Sequence, residues 1–199
     1  TNISLDHTDI LGDIISQVAA EKAGIIKKGV PVITGVEKDK ALKVIKKKAA
    51  EKKSQLISIH KNYNFKVKSS DLINQTFIVY HDNKSIEFNI KIPGIHQIKN
   101  ALLAFGILNK LNEVLPVTLN DIKKGFASTR WPGRMEIINK KPLVLLDGAH
   151  NEESVQKLVE VLKNHIPDSR KITIILSILK DKNITQILKL LNFRKENYE

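Results

Sequence analysis

Along the chain, short apolar runs alternate with amphipathic stretches, and the period of the apolar positions changes twice. Thr1–Leu5 reads as a strand, and Asp6–Gly12 as a polar turn into a helix from about Asp13 to Ala23. On that helix Ile14, Ile15, Val18 and Ala19 form one face at the 3.6-residue period. Lys22, four residues after Val18, falls on the same face and is expected to be buried. A βαβ pattern follows: strand Val30–Thr34, helix Asp39–Lys53 with Asp39 as its N-cap, and strand Leu56–Ile59. From Tyr63 to Ile92 the period drops to two. Phe65 and Val67, then Thr76–Tyr80, then Ile86, Phe88, Ile90 and Ile92 alternate around Asp82-Asn83, as hairpin strands do. Pro93-Gly94 ends this region, and the spacing predicts a helix from His96 to about Leu111.

A second βαβ series follows Trp131, with strands Met135–Ile138 and Leu143–Leu146, helix Glu152–Asn164, strand Lys171–Ser177 and helix Ile184–Leu191. The change of character near Thr129-Arg-Trp-Pro-Gly133 sets a domain boundary. Residues 1–129 hold sheet plus hairpins, and 130–199 open a Rossmann-like unit whose sheet looks incomplete. The fold class is therefore α/β. No internal repeat or low-complexity segment interrupts it.

Composition narrows the chemistry. With 199 residues and no cysteine, a good core fits, whereas disulfides, thiolate zinc sites and a cysteine nucleophile do not. No apolar run is long enough to span a bilayer, and no signal peptide opens the chain. A soluble, cytoplasmic protein without a membrane partner is expected. The formal charge is +12, yet only Arg130, Arg134, Arg170 and Arg194 are arginines among the 33 basic residues. Aromatic residues make up 5%, and no stacking platform or recognition helix is evident, so attraction of small polyanions is preferred over nucleic acid.

The stretch richest in chemistry is Pro142-Leu-Val-Leu-Leu146 running into Asp147-Gly-Ala-His-Asn151. Strand ends that feed helix starts are where open α/β sheets bind ligands, because backbone N–H groups face the crevice. Asp147 and His150 on this turn can reach a ribose hydroxyl and a phosphate; a cap and a turn histidine are their plainer roles. Arg134, in Trp131-Pro-Gly-Arg134, brings a fork-shaped donor to the same crevice, unless it serves a structural salt bridge. Asn100 offers an amide donor and acceptor suited to an adenine edge, or is a helix-surface residue. Lys22 is either a snorkelling stem or an amine made reactive by burial, and His7 alone is a weak signal.

Six segments then occur in order: Thr1-Asn-Ile-Ser-Leu-Asp-His-Thr-Asp-Ile-Leu-Gly12, Glu21-Lys-Ala-Gly-Ile-Ile-Lys27, His96-Gln-Ile-Lys-Asn100, Trp131-Pro-Gly-Arg134, Asp147-Gly-Ala-His-Asn151 and Lys180-Asp-Lys182. Together they closely resemble the folylpolyglutamate synthase and dihydrofolate synthase branch of the Mur-ligase superfamily. The resemblance covers nearly the whole chain. It implies the second part of a Mur-ligase-type ATPase domain, then the start of a Rossmann-like glutamate-ligase domain. It also implies an ATP-dependent ligase, monomeric, that joins L-glutamate to the terminal carboxylate of a folate through an acyl phosphate.

Carried over by residue, His7 matches a Mg²⁺ ligand, and Lys22 the lysine carbamylated by CO2 that supports the metal. Asn100, Arg134 and Asp147 match the adenine, phosphate and ribose contacts of ATP. His150 matches the histidine near the γ-phosphate. The family's glycine-rich phosphate loop, an acidic Mg²⁺ ligand and most pterin contacts lie upstream of the matching region, and no Gly-x-x-x-x-Gly-Lys-Ser/Thr occurs here. The chain is read as an internal fragment, expected to be inactive alone and to bind ATP poorly. Two other readings stay open: a non-catalytic basic nucleotide-binding module, and a different Mur-type amide ligase.

Overall fold

The computed structural model describes residues 15–193. Helix α1 (Ile15–Ala23) packs on α2 (Asp39–Glu51), with Val18, Ala19 and Ala23 clustered with Ala41 and Ile45. The small side chains bring the two backbones close. Between these helices runs β1 (Val32–Thr34), which pairs in parallel with β2 (Leu56–Ser58), so the expected βαβ unit is present. Asp39 is the first helical residue rather than the cap. Lys38 holds that position, and its side chain makes no capping bond. The strand and turn read over Thr1–Gly12, with His7, lie outside the described residues, as do the first residues of the helix.

A short helix α3 (Ile59–Asn62) leads into three antiparallel strands, β3 (Asn64–Ser70), β4 (Gln75–His81) and β5 (Lys84–Ile90). The β4–β5 turn is Asp82-Asn83, both at positive φ (48° and 58°), as a two-residue hairpin of the favoured twist requires. The alternation read between Phe65 and Ile90 has its physical cause here. Phe77, Val79, Phe88 and Ile90 point to one face and are buried under α4 (Ile95–Leu111) and α5 (Leu119–Ser128). Phe88 meets Phe105 at 5.1 Å and Phe126 at 5.2 Å between ring centroids, in the tilted and edge-on arrangements that aromatic rings prefer. Helix α5 was not predicted, although its Thr118–Asp121 capping box is a strong start signal.

Beyond the Thr129–Gly133 turn, β6 (Glu136–Lys140) and β7 (Leu143–Leu146) pair antiparallel. The parallel pairing that a βαβ series implies is thus replaced by a hairpin, because only Lys141 and Pro142 separate the strands. Helix α6 (Glu152–His165) follows, opened by an Asn151–Ser154 capping box, and α7 (Ile184–Leu191) packs on it through Val155, Val159, Ile187 and Leu191. The strand expected over Lys171–Ser177 is absent. That stretch forms no regular element and pairs with no described strand, and Ile175 is 97% exposed. An apolar run forms a ladder only where a neighbouring edge is on offer.

Both regions meet over one apolar cluster. Leu72, from the β3–β4 turn, packs with Met135, Val161, Leu162 and Ile166. Beside it Ser70 Oγ and His165 Nε2 are hydrogen-bonded at 3.2 Å. Among the described residues no helix is long and apolar enough to cross a membrane.

Candidate functional site

The start of α4 is held in place by a buried amide. Gln75, 1% exposed, donates from Nε2 to the carbonyls of Ile92 (2.6 Å) and Gly94 (3.0 Å), fixing the Pro93-Gly94 turn. Gly94 has φ +106°, and a Cβ there would sit 2.6 Å from His96 Cε1 and 2.9 Å from Val161 Cγ2. Only glycine allows the imidazole to lie against the turn while α6 packs on its other side. One turn further, Asn100 Nδ2 donates to Gln97 Oε1 at 3.1 Å, so two amides form a paired edge on the exposed side of α4.

Opposite this helix, the Trp131–Arg134 turn and the Asp147–Asn151 turn are laced together. Asp147 Oδ2 accepts the Met135 N–H at 2.9 Å and Oδ1 the Ala149 N–H at 2.8 Å, while Gly148 N–H donates to Gly133 O at 2.7 Å. Asp147 therefore does more than cap a helix: it binds the end of β7 to the Arg134 turn. Glu136 Oε2 accepts the Gly133 N–H at 2.8 Å on the far side. Arg134 is left exposed. It makes no ion pair among the described residues, so the structural salt bridge that was its plainer role is not formed.

Between these elements lies a cavity of about 510 Å³, lined by Asn100, Arg134 and Asp147 together with His96, Trp131 and Lys157. Its size suits a nucleotide-sized ligand. Burial, reinforced by the positive charge of Lys157 and of Arg134, holds the His96 imidazole down to a pKa of about 4; Asp147 and Glu153 pull the other way. His96 is then a neutral donor–acceptor at neutral pH. Lys157 is paired with Glu153 one turn away. The cavity thus offers one uncommitted cation, Arg134, at its edge, and a neutral amide and imidazole face within.

Three of the residues singled out in the sequence are brought together: Asn100, Arg134 and Asp147. His150 is adjacent but does not line the cavity. It is exposed, and its Nδ1–H donates to Gly148 O at 2.8 Å, the ordinary place of a turn histidine. Lys22 corrects the sequence reading. Its helical phase sets it beside Val18, but it lies in the last turn of α1, where no described element covers that face, and it is exposed. Burial cannot therefore be invoked here for its reactivity. His96 was missed as a site residue; its place two residues after Gly94 was the available signal. Lys157 had none. Among the described residues no three His, Asp or Glu side chains come together to hold a metal ion.

A crevice of this kind, set between the end of a strand, a helix start and a second α/β layer, is where open α/β folds bind ligands. Residues 1–108 match the Mur ligase middle domain, and residues 133–196 match the Mur ligase glutamate ligase domain. The chain belongs to the Mur ligase family. It is 37% identical over 193 residues to the dihydrofolate synthase/folylpolyglutamate synthase of Bacillus subtilis, covering 95% of this chain and 44% of that protein. A folylpolyglutamate synthase from Thermotoga maritima superposes with a TM-score of 0.77 at 36% identity, over 88% of this chain and 41% of the other. A complex of folylpolyglutamate synthase with AMPPCP and folate gives a TM-score of 0.87 at 30% identity, over 96% and 47%. The chain spans less than half the length of these relatives.

Proposed function

We propose that the protein to which this chain belongs is an ATP-dependent amide ligase that extends a folate with L-glutamate. The observation that carries this reading is the convergence of Asn100, Arg134 and Asp147 on one nucleotide-sized cavity. Residues 1–129 belong to its ATP-binding part and 130–199 to its glutamate-ligase part.

In this reading the amides of Gln97 and Asn100 face the adenine. Asp147, whose two oxygens keep lone pairs beyond those taken by Met135 and Ala149 N–H, accepts from a ribose hydroxyl. Arg134 swings its guanidinium over the phosphates, where a bidentate donor neutralises charge as the γ-phosphoryl group moves. The folate carboxylate oxygen bonds to the γ-phosphorus as the bond to ADP breaks. The glutamate amine, having lost a proton, then attacks the acyl carbon, and inorganic phosphate leaves. Closure of the two parts excludes water from the acyl phosphate. His150, beside the cavity mouth, assists at the γ-phosphate after its imidazole turns from Gly148 O.

Mg²⁺, with His7 and a CO2-derived carbamate on Lys22 as its supports, rests on the resemblance alone. The described residues do not by themselves make a metal site. A monomer acting in the cytoplasm completes the reading.

The test is phosphate release from ATP by the full-length protein, with and without glutamate and a reduced folate. Release that needs both substrates is the expected outcome. A folded protein that binds ATP yet releases no phosphate would instead support a non-catalytic nucleotide-binding module.

A further inference from the structure

The turn between β3 and β4 has an uncommon make-up. Asp71 and Asn74 are ordinary turn residues, but between them stand Leu72 and Ile73, where small or polar side chains are the rule. Polar bonds stiffen the turn without help from this apolar pair. Asp71 Oδ1 accepts the N–H groups of Ile73 (2.7 Å) and Asn74 (2.8 Å), and Asp71 N–H donates to Asn74 O at 2.9 Å. Ile73 stays half exposed. Leu72 is carried across to the other region and packs against Met135, Val161, Leu162 and Ile166, with the Ser70–His165 hydrogen bond beside it.

This packing reaches the wall of the nucleotide-sized cavity. Met135 and Leu158 line that cavity and also belong to the apolar cluster. Met135 carries the argument further. Its φ is +48°, in the left-handed region that a residue with a Cβ occupies only where its surroundings hold it there. Two contacts do so: Asp147 Oδ2 accepts its N–H at 2.9 Å, and the cluster buries its side chain. Arg134 directly precedes Met135, so the backbone reversal at Met135 sets the direction in which Arg134 leaves the turn. Val161, in the same cluster, lies against Gly94 at the start of α4. Leu72 comes from the region that carries Asn100, and Met135, Arg134 and Asp147 come from the other. One side chain thus bears on both halves of the cavity.

We propose that Leu72 is a positioning residue for the nucleotide cavity: packed into the cluster around Met135, it keeps Arg134 and Asp147 at the distance from Asn100 that one nucleotide spans. The proposal rests on the ligase reading for the identity of that ligand. Without Leu72 the two regions part for a fraction of the time, and only the docked fraction binds ATP fully. Apparent affinity falls with that fraction, while saturating ATP restores the docked state.

The test is phosphate release by the full-length protein at varied ATP, with X-ray scattering of the ligand-free protein beside it. Leu72→Ala should raise the KM for ATP severalfold. Leu72→Asp, which sets a charge among apolar side chains, should raise it about tenfold or more. kcat at saturating ATP should stay within about twofold of the parent value. Leu72→Asp should also enlarge the radius of gyration, and added ATP should reverse the change. Leu72→Met, which keeps the volume, should behave as the parent, and so should Ile73→Ala at the exposed neighbour. A fall in kcat with KM unchanged, an unaltered radius in Leu72→Asp, or an equal effect of Ile73→Ala overturns the proposal. The parent protein separates the two readings. No ATP binding and no phosphate release by the parent removes the ligase, and this role with it. Turnover by the parent with an unchanged KM in Leu72→Ala and Leu72→Asp removes the role of Leu72 alone.

Discussion

His96 sits on a glycine that has no room for a side chain, and its ring is cut off from much of the solvent. The unfolded chain takes up a proton at this group near pH 6.5, and the folded chain only near pH 4. Because the folded pKa is the lower one, its contribution to stability is present above pH 6.5 and is lost as pH falls toward 4. His96→Gln should flatten the decline of unfolding free energy across that window, measured by urea denaturation at several pH values. An unaltered slope would mean that the ring is not shielded as described. At this scale much of the site was legible. Arg134 and Asp147 stand out because each is a charged group on a turn beside a strand, and Asn100 because its amide offers a donor and an acceptor suited to an adenine edge. His96 was hidden because its role depends on Gly94 and on Val161, distant in sequence. Lys22 misled because helical phase says which way a side chain points, not whether anything covers it.

Elements place these side chains, and the buried amide of Gln75 shows how. Its two hydrogen bonds tie β4 to the turn that starts α4, so the helix bearing His96, Gln97 and Asn100 is registered to the sheet. Gln75→Leu keeps the volume but leaves the carbonyls of Ile92 and Gly94 without that donor. It should cost about 1–3 kcal/mol in chemical denaturation, the usual penalty for unsatisfied buried groups. A neutral result would show that water or the backbone replaces the amide. The same helix approaches its neighbours closely at Gly106, where a Cβ would lie 2.6 Å from Ile59 Cδ1. The elements most readable in the sequence were those with a strong period: the hairpin strands, α4 and α6. Those misread were set by pairing partners. Residues 171–177 have the composition of a strand but no described edge to join, and β6 and β7 turn back on each other rather than crossing over.

At the scale of the whole molecule, the cavity exists because two regions are held face to face. Leu72 reaches from the three-stranded sheet into the apolar cluster of α6, and the Ser70–His165 hydrogen bond borders that contact. Asn100 comes from one region, Arg134 and Asp147 from the other, so a nucleotide placed as proposed would bridge both. The most direct measurement is the ATP affinity of the full-length protein beside its Asn100→Ala and Arg134→Ala variants, by calorimetry at constant salt. Each variant should bind ATP about tenfold more weakly or worse, as expected for the loss of a hydrogen bond to a base or of a charged contact to phosphate. Parent-like affinity in both variants, with the fold intact, would contradict the account, because the nucleotide would then lie elsewhere.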